Sequence, residues 1–406
     1  MSRLLRLLIA LALAGSAGSA LAQPPLAQDV EVSSLAAPDA FSTPGRDTGL
    51  PPTLWRGASV KTAQTVLPLL SIKTLSPAGS ALARRVLATG APGPRGVGQD
   101  PVLAAARATA LMGQGDAKAA AAILSRAPGV DRAPELAHAV AESALMSGDD
   151  GRACAVAQGL SSGRDEIYWL RLRAYCQAIA GQTGEAQLTF ELAQNQARDA
   201  VFGRLMGAKL AGVGDPGAAS LRNGLDYALS HSLGLDLGAA KASPAVAAAL
   251  SSGDPAEPTF DAAAAPADVG ILVDPLMRGE PVRDAVVQAL IDAAGAAPPK
   301  GRARAQAVAL LALALSGPLT PETRGQMAGL TAPEGKAPLG RDLALDGAAD
   351  QKLTGEAALL SLWTCVEAGP AGPAIGDRVR IVRALHVAGL EADARNFALE
   401  GLLGLK

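Results

Sequence analysis

The chain has 406 residues, of which 49% are hydrophobic, only 3% aromatic and 18% charged, with a formal net charge of −2. That balance lacks the clustered basic excess that neutralises phosphates, so it argues against a nucleic-acid partner. A core of Ala, Leu and Val with scarce aromatics favours helices over strands, and the fold class expected is all-α.

Residues 1–22 combine Arg3 and Arg6, an apolar run from Leu7 to Leu13, and small residues ending in Ala20, Leu21 and Ala22. This three-part plan is that of a secretory signal peptide cleaved between Ala22 and Gln23, and it predicts a periplasmic or secreted protein. The apolar run is too short for a bilayer, and no later segment holds about 18 uninterrupted apolar residues, so no membrane-spanning helix is expected. Residues 23–57, rich in Pro, Ser, Thr, Gly and Asp, read as a flexible arm. Residues 58–100 read as two short helices, Val60 to Ser71 and Pro77 to Thr89, followed by the Gly- and Pro-rich linker Gly90 to Gly98. Ser76 is placed to cap the second helix, with Pro77 as its first residue.

Within residues 101–230 an internal repeat emerges once the glycines are aligned. Gly115, Gly148, Gly181 and Gly214 are spaced by 33 residues. Before them stand the bulky Leu103, Leu136, Trp169 and Phe202, then the small Ala108, Ala141, Ala174 and Gly207; after them come Ala120, Ala153, Ala186 and Ala219. Each unit reads as a helical hairpin whose second helix packs closely at its early Ala. A lone hairpin of this size cannot bury its apolar face, so the copies are expected to stack into an α-solenoid with a 33-residue period. At Trp169, Ala174, Gly181, Ala186 and Phe190, and at Leu103, Ala108, Gly115, Ala120 and Leu124, the pattern resembles the tetratricopeptide repeat. The resemblance spans about Pro101 to Tyr227. It departs from that family in a period of 33 instead of ~34, in a bulky residue one place early, and in the absence of a regular closing Pro.

The three cysteines, Cys154, Cys176 and Cys365, have no metal-ligand spacing. They read either as small buried apolar residues or, for Cys154 and Cys176, as a bridge between the second helix of one unit and the first helix of the next. Residues 231–266 read as a transition and linker. Residues 267–406 read as an irregular C-terminal helical array, with apolar periodic segments at Val282 to Ala294, Ala303 to Ser316, Pro321 to Leu330, Gly355 to Glu367, Arg378 to Val387 and Ala392 to Leu403. There Thr320 is a candidate cap and Pro321 a first helical residue, and Gly389 followed by Ala394 repeats the earlier turn.

Chemistry leaves few traces. His138, His231 and His386 stand apart, with no paired spacing for a metal. Gly159 to Gly163 matches the letters of a nucleophile elbow but follows a helix where a strand is required. Gly329 to Lys336 has one residue too many between its glycines for a phosphate loop, and Ala337 stands where a hydroxyl is needed. No catalytic residue, metal or cofactor is therefore expected. One sharper pattern survives: His138, Arg171 and Arg204 each precede an aligned glycine by ten residues. They would form a column of donors along successive first helices, which in solenoids of this kind line a groove. Arginine there suits a carboxylate, because its fork binds one bidentately; the competing reading is a solvated stripe. The reading of the whole is a non-enzymatic periplasmic scaffold or adaptor for a protein or peptide, in cell-envelope assembly. The alternative is a peptidoglycan-binding module, similar in shape to the superhelical parts of lytic transglycosylases.

Overall fold

Helix caps account for much of the local structure. The side chains of Ser59, Ser76, Asp100, Asp116, Asp149, Asp199, Asn223, Ser243 and Thr320 each accept a backbone N–H from the first turn of the helix they precede, satisfying donors that the helix itself leaves open. The computed structural model describes residues 38–251, 255–264, 269–331 and 334–405. The expected signal peptide and the part of the expected arm from 23 to 37 lie outside the described residues. Within them stand 19 α-helices, and backbone strand pairing is limited to one isolated bridge, Leu221 to Ala242. The protein is all-α.

In chain order come α1 (Val60–Ile72), α2 (Pro77–Ala88), α3 (Pro101–Gly113), α4 (Ala117–Leu124), α5 (Pro134–Met146), α6 (Asp150–Gly159), α7 (Ile167–Ile179), α8 (Thr183–Gln196) and α9 (Ala200–Ala211). They are followed by α10 (Gly224–Ser232), α11 (Pro244–Leu250), α12 (Gly270–Met277), α13 (Asp284–Ala296), α14 (Pro299–Ala314) and α15 (Pro321–Met327). The chain ends in α16 (Leu339–Asp350), α17 (Thr354–Ala368), α18 (Ile375–Val387) and α19 (Glu391–Leu403). No helix of the described residues is long and apolar enough to cross a membrane. Two helices, α12 and α16, escaped the sequence reading. In α16 the apolar residues are diluted by Asp342, Asp346 and Asp350, so no stripe stands out.

The aligned glycines explain how the hairpins turn. Gly115, Gly148, Gly181 and Gly389 all have φ between 77° and 90°. In each case the next residue's N–H reaches back five residues, as Asp116 does to Leu111, Asp149 to Ala144, Gln182 to Gln177 and Leu390 to Leu385. This closure ends a helix with one left-handed residue, which glycine adopts without a Cβ clash. The bulky Leu103, Leu136, Trp169 and Phe202 are all buried, as are Ala120, Ala153 and Ala186. Gly214 differs: α9 already ends at a left-handed Gly212, and no helix begins near Ala219, because the chain instead loops through 212–223 to reach α10. The same turn recurs without glycine between α16 and α17. Lys352 has φ 54°, and Leu353 N–H bonds the Ala348 carbonyl. Lys352→Gly is accordingly expected to raise stability by about 1 kcal/mol, the order of the left-handed penalty it removes, read as a higher urea midpoint at unchanged slope.

Residues from Pro38 onward form one compact unit, and its packing redraws the expected boundaries. Helix α1 lies between α3 and α17, and α2 touches α17 and α19, so these two helices link the C-terminal helices to those that begin at Pro101. One buried cluster runs from Phe41, Trp55, Leu67 and Leu111 to Leu311, Leu359 and Phe397. A second holds Leu145, Trp169, Tyr175, Phe202 and Leu229. At the seam between chain ends, Arg378 pairs with Glu400 at 2.7 Å, while the other Glu400 oxygen accepts the Ala78 N–H at the start of α2.

The arm expected at 23–57 is packed from Pro38 on. Phe41, Leu54 and Trp55 are fully buried, and their rings and side chains outweigh the polar residues around them. Arg107 of α3 holds this segment from within: its guanidinium donates to the carbonyls of Leu87, Ala40, Thr43 and Thr89. Pro44 passes so close to Gly90 that a Cβ there would lie 2.5 Å from its nitrogen.

Candidate functional site

The three residues expected to form a donor column are each engaged within the chain. His138, Arg171 and Arg204 sit on α5, α7 and α9. Arg171 reaches the Ala197 carbonyl at 2.9 Å and Asp199 at 3.5 Å, and its guanidinium stands over the Phe202 ring. Arg204 donates to the Ala218 carbonyl at 2.7 Å. Both cations thus hold the connections around α9 in place. His138 lies edge-on to Tyr168 with ring centroids 4.0 Å apart, and desolvation lowers its pKa although nearby Glu142 and Glu166 pull it up.

The face beside this column is occupied by the chain itself. Helix α10 packs on α5, and α11 packs on α3 and α4. Glu142 fixes the first of these, because one carboxylate oxygen accepts the Gly224 N–H at 2.6 Å and the other the Tyr168 hydroxyl at 3.0 Å. Burial, the Glu142 charge and this hydrogen bond together raise the Tyr168 pKa well above its ordinary value. Asp199 caps α9 and pairs with Arg222 at 3.1 Å. Burial would raise its pKa, but the Phe202 N–H, Arg222 and Arg171 together hold it below the ordinary value.

A more open arrangement lies on the far side of α7. Cys154 of α6 and Cys176 of α7 have their Cα atoms 5.6 Å apart and are joined by a disulfide; the third cysteine, Cys365, is buried in α17. The bridge forms part of the wall of a cleft of about 470 Å³, with Ala157, Gln158, Arg164, Arg173, Gln177 and Ile179 among the other lining residues. Arg173 Nη2 donates to the Arg164 carbonyl at 2.9 Å, and Arg164 Nη1 to the Gln158 carbonyl at 3.3 Å. Burial lowers the Arg173 pKa, the neighbouring Arg164 charge lowers it further, and Asp165 opposes both. Sequence reading missed these arginines. The signal it passed over is that Arg173, Cys176, Gln177 and Ala180 share one helical face at i, i+3, i+4 and i+7.

The other motifs are local structure. Gly159 to Gly163 forms the α6–α7 connection, where the Ser161 hydroxyl bonds the Asp131 carbonyl. Lys336, after the glycine-rich stretch, gives its N–H to the buried Asp377. His231 stacks on Tyr227, and His386 meets Glu391 at 2.7 Å. A further hollow of about 330 Å³ lies between the 38–43 segment and α3 to α5. Its two carboxylates are already used: Asp39 accepts the N–H groups of Phe41, Ser42 and Gly93, and Asp100 caps α3. Among the described residues, no three His, Cys, Asp or Glu side chains come together as a metal site requires. No protein-family model, no curated protein and no solved structure matches the chain.

Proposed function

We propose that the chain is a non-enzymatic scaffold or adaptor of the bacterial periplasm, an α-solenoid of helical hairpins that holds a protein or peptide partner in cell-envelope assembly. The observation that carries this reading is the use made of the polar side chains. Arg107, Glu142, Arg171, Asp199 and Glu400 tie one element to another, and each histidine is engaged by its own neighbour. Such an arrangement supplies a stiff platform, and stiffness lowers the ordering cost of holding a flexible partner. The disulfide between two hairpins suits an oxidising compartment and accords with the leader read in residues 1–22.

The test is capture in intact cells. A photoreactive residue replaces Gln182 at the edge of the cleft or Leu188 on the exposed face of α8, with the exposed Lys300 of α14 as control. One discrete protein adduct from 182 or 188, and none from 300, is the expected result. If neither position yields a protein adduct, and the purified chain instead sediments with isolated peptidoglycan, the polymer-binding reading replaces the scaffold.

A further inference from the structure

We infer that the cleft beside the Cys154–Cys176 bridge recognises a carboxylate carried by a peptide, with Arg173 and Arg164 holding the acid and Gln177 holding a neighbouring peptide N–H. This rests on the peptide-binding reading above and gives it a place and a chemistry.

The first argument is charge. Arg164 and Arg173 are close enough for one guanidinium to bond the other residue's backbone, and they line the same cleft without any carboxylate among its lining residues. Arg171 and Arg222, by contrast, share a carboxylate acceptor in Asp199. Asp165 influences Arg173 but makes no ion pair with it. Two like charges on one wall repel, and an anion between them removes that penalty.

The second argument is unmet hydrogen bonding. Arg173 Nε and Gln177 Oε1 are both buried and have no partner in the chain. They belong to residues one helical turn apart on α7 that both line the cleft, and, being closed to solvent as they stand, they meet a ligand only when the two side chains turn toward it. A free anion would satisfy only the donor. A peptide satisfies both, since its carboxylate takes the guanidinium fork and its amide N–H meets the glutamine oxygen.

The third argument is shape. Ala157, Ile179, Ala180 and the disulfide supply apolar wall beside the polar Gln158 and Gln182, so about 470 Å³ of partly apolar space flanks the cations. That is room for a short side chain and its adjoining peptide groups, of the size usual for small-ligand sites. The bridge keeps α6 and α7 from spreading, which preserves the spacing of the two walls in the absence of ligand.

The experiment uses the full secreted chain with its disulfide intact, immobilised, and three fluorescent pools of degenerate hexapeptides. The first pool has a fixed internal Glu and an amidated end. The second has a free C-terminus and no acidic side chain, and the third is neutral and amidated. Retention of the first or second pool roughly ten-fold above the third is expected, and which of the two is retained tells a side-chain from a terminal carboxylate. Arg173→Gln should abolish the excess, and Arg173→Lys, which keeps the charge without the fork, should leave an intermediate value. Arg302→Gln, on the exposed start of α14, should change nothing, and the helical circular dichroism of all variants should match the parent. Equal retention of the three pools, or full retention by a folded Arg173→Gln chain, overturns the inference. Protein capture from position 188 in cells alongside that negative would leave the scaffold standing and move its site; pool retention without any capture in cells would leave the cleft standing and remove the scaffold.

Discussion

Arg107→Ala is expected to destabilise the protein by about 3–5 kcal/mol, the order for several buried carbonyls each left without its donor, and to release the segment from Pro38 to Gly57. The Arg107 side chain is wholly buried. Burial pushes its pKa down to about 9, with Asp39 pulling the other way, so it is still a cation at neutral pH. What makes that tolerable is four backbone carbonyls, two from the segment at Ala40 and Thr43 and two from the end of α2 at Leu87 and Thr89. Deleting the guanidinium leaves those four acceptors buried without a donor, each carrying a desolvation penalty, and takes away the cation over the Phe41 ring.

The loss should be uneven. The segment keeps other ties, among them the Arg46 to Asp116 pair at 3.2 Å, the Gly45 N–H to the Ala88 carbonyl, the Ala91 N–H to the Phe41 carbonyl and the Gly93 N–H to Asp39, but the stretch at 40–43 loses both of its Arg107 bonds and is the part expected to loosen first. Trypsin should therefore cut at Arg46 in the variant before the helices melt, and Trp55 fluorescence should shift to the red ahead of the loss of helical signal. Arg107→Lys should fall between the two, since one ammonium offers three donors from a single point and cannot span four carbonyls. An unchanged urea midpoint together with an uncut Arg46 would show that the segment is held by its apolar residues alone.

That staple marks where the sequence stopped being readable. Composition and helical period were enough for the all-α class and for most helices, because the information lies within ten or fifteen residues: Ser76 before Pro77, Thr320 before Pro321, a glycine after each first helix. Residues 38–57 carry the same turn-forming composition as a flexible arm, and only the distant Arg107 and the aromatic pair Phe41 and Trp55 distinguish them. Lys352 hid a hairpin turn because the left-handed residue there is not glycine. The donor column failed to open for a related reason. A sequence shows that Arg171 and Arg204 share a register with His138, but not that Ala197 and Ala218 carbonyls lie within their reach. The joining of chain ends by α1, α2, α17 and α19 is likewise a long-range fact with no local signature.

The joint between chain ends should also set how stability responds to pH. Asp393, in the first turn of α19, is buried and bonds Arg85 of α2 at 2.5 Å. Burial pushes its pKa up from 3.8 to about 6; Arg85 opposes the rise and Glu257 adds to it. The folded chain therefore holds a proton at Asp393 more tightly than the unfolded chain does. Stability from this group is present at low pH and is lost as pH rises through the window between about 4 and 6. At about 1.4 kcal/mol per unit, the whole window amounts to roughly 3 kcal/mol. Asparagine imitates the protonated acid at every pH, so Asp393→Asn should match the parent near pH 4 and exceed it by about 2–3 kcal/mol at pH 8. Taking the difference between the two chains cancels the carboxylates that titrate elsewhere. Urea unfolding at pH 4, 6 and 8 measures it. A variant weaker than the parent at pH 8 would mean that the Arg85 pair outweighs the burial of Asp393, and that the two ends of the chain are joined by the charge itself and not by the apolar packing around it.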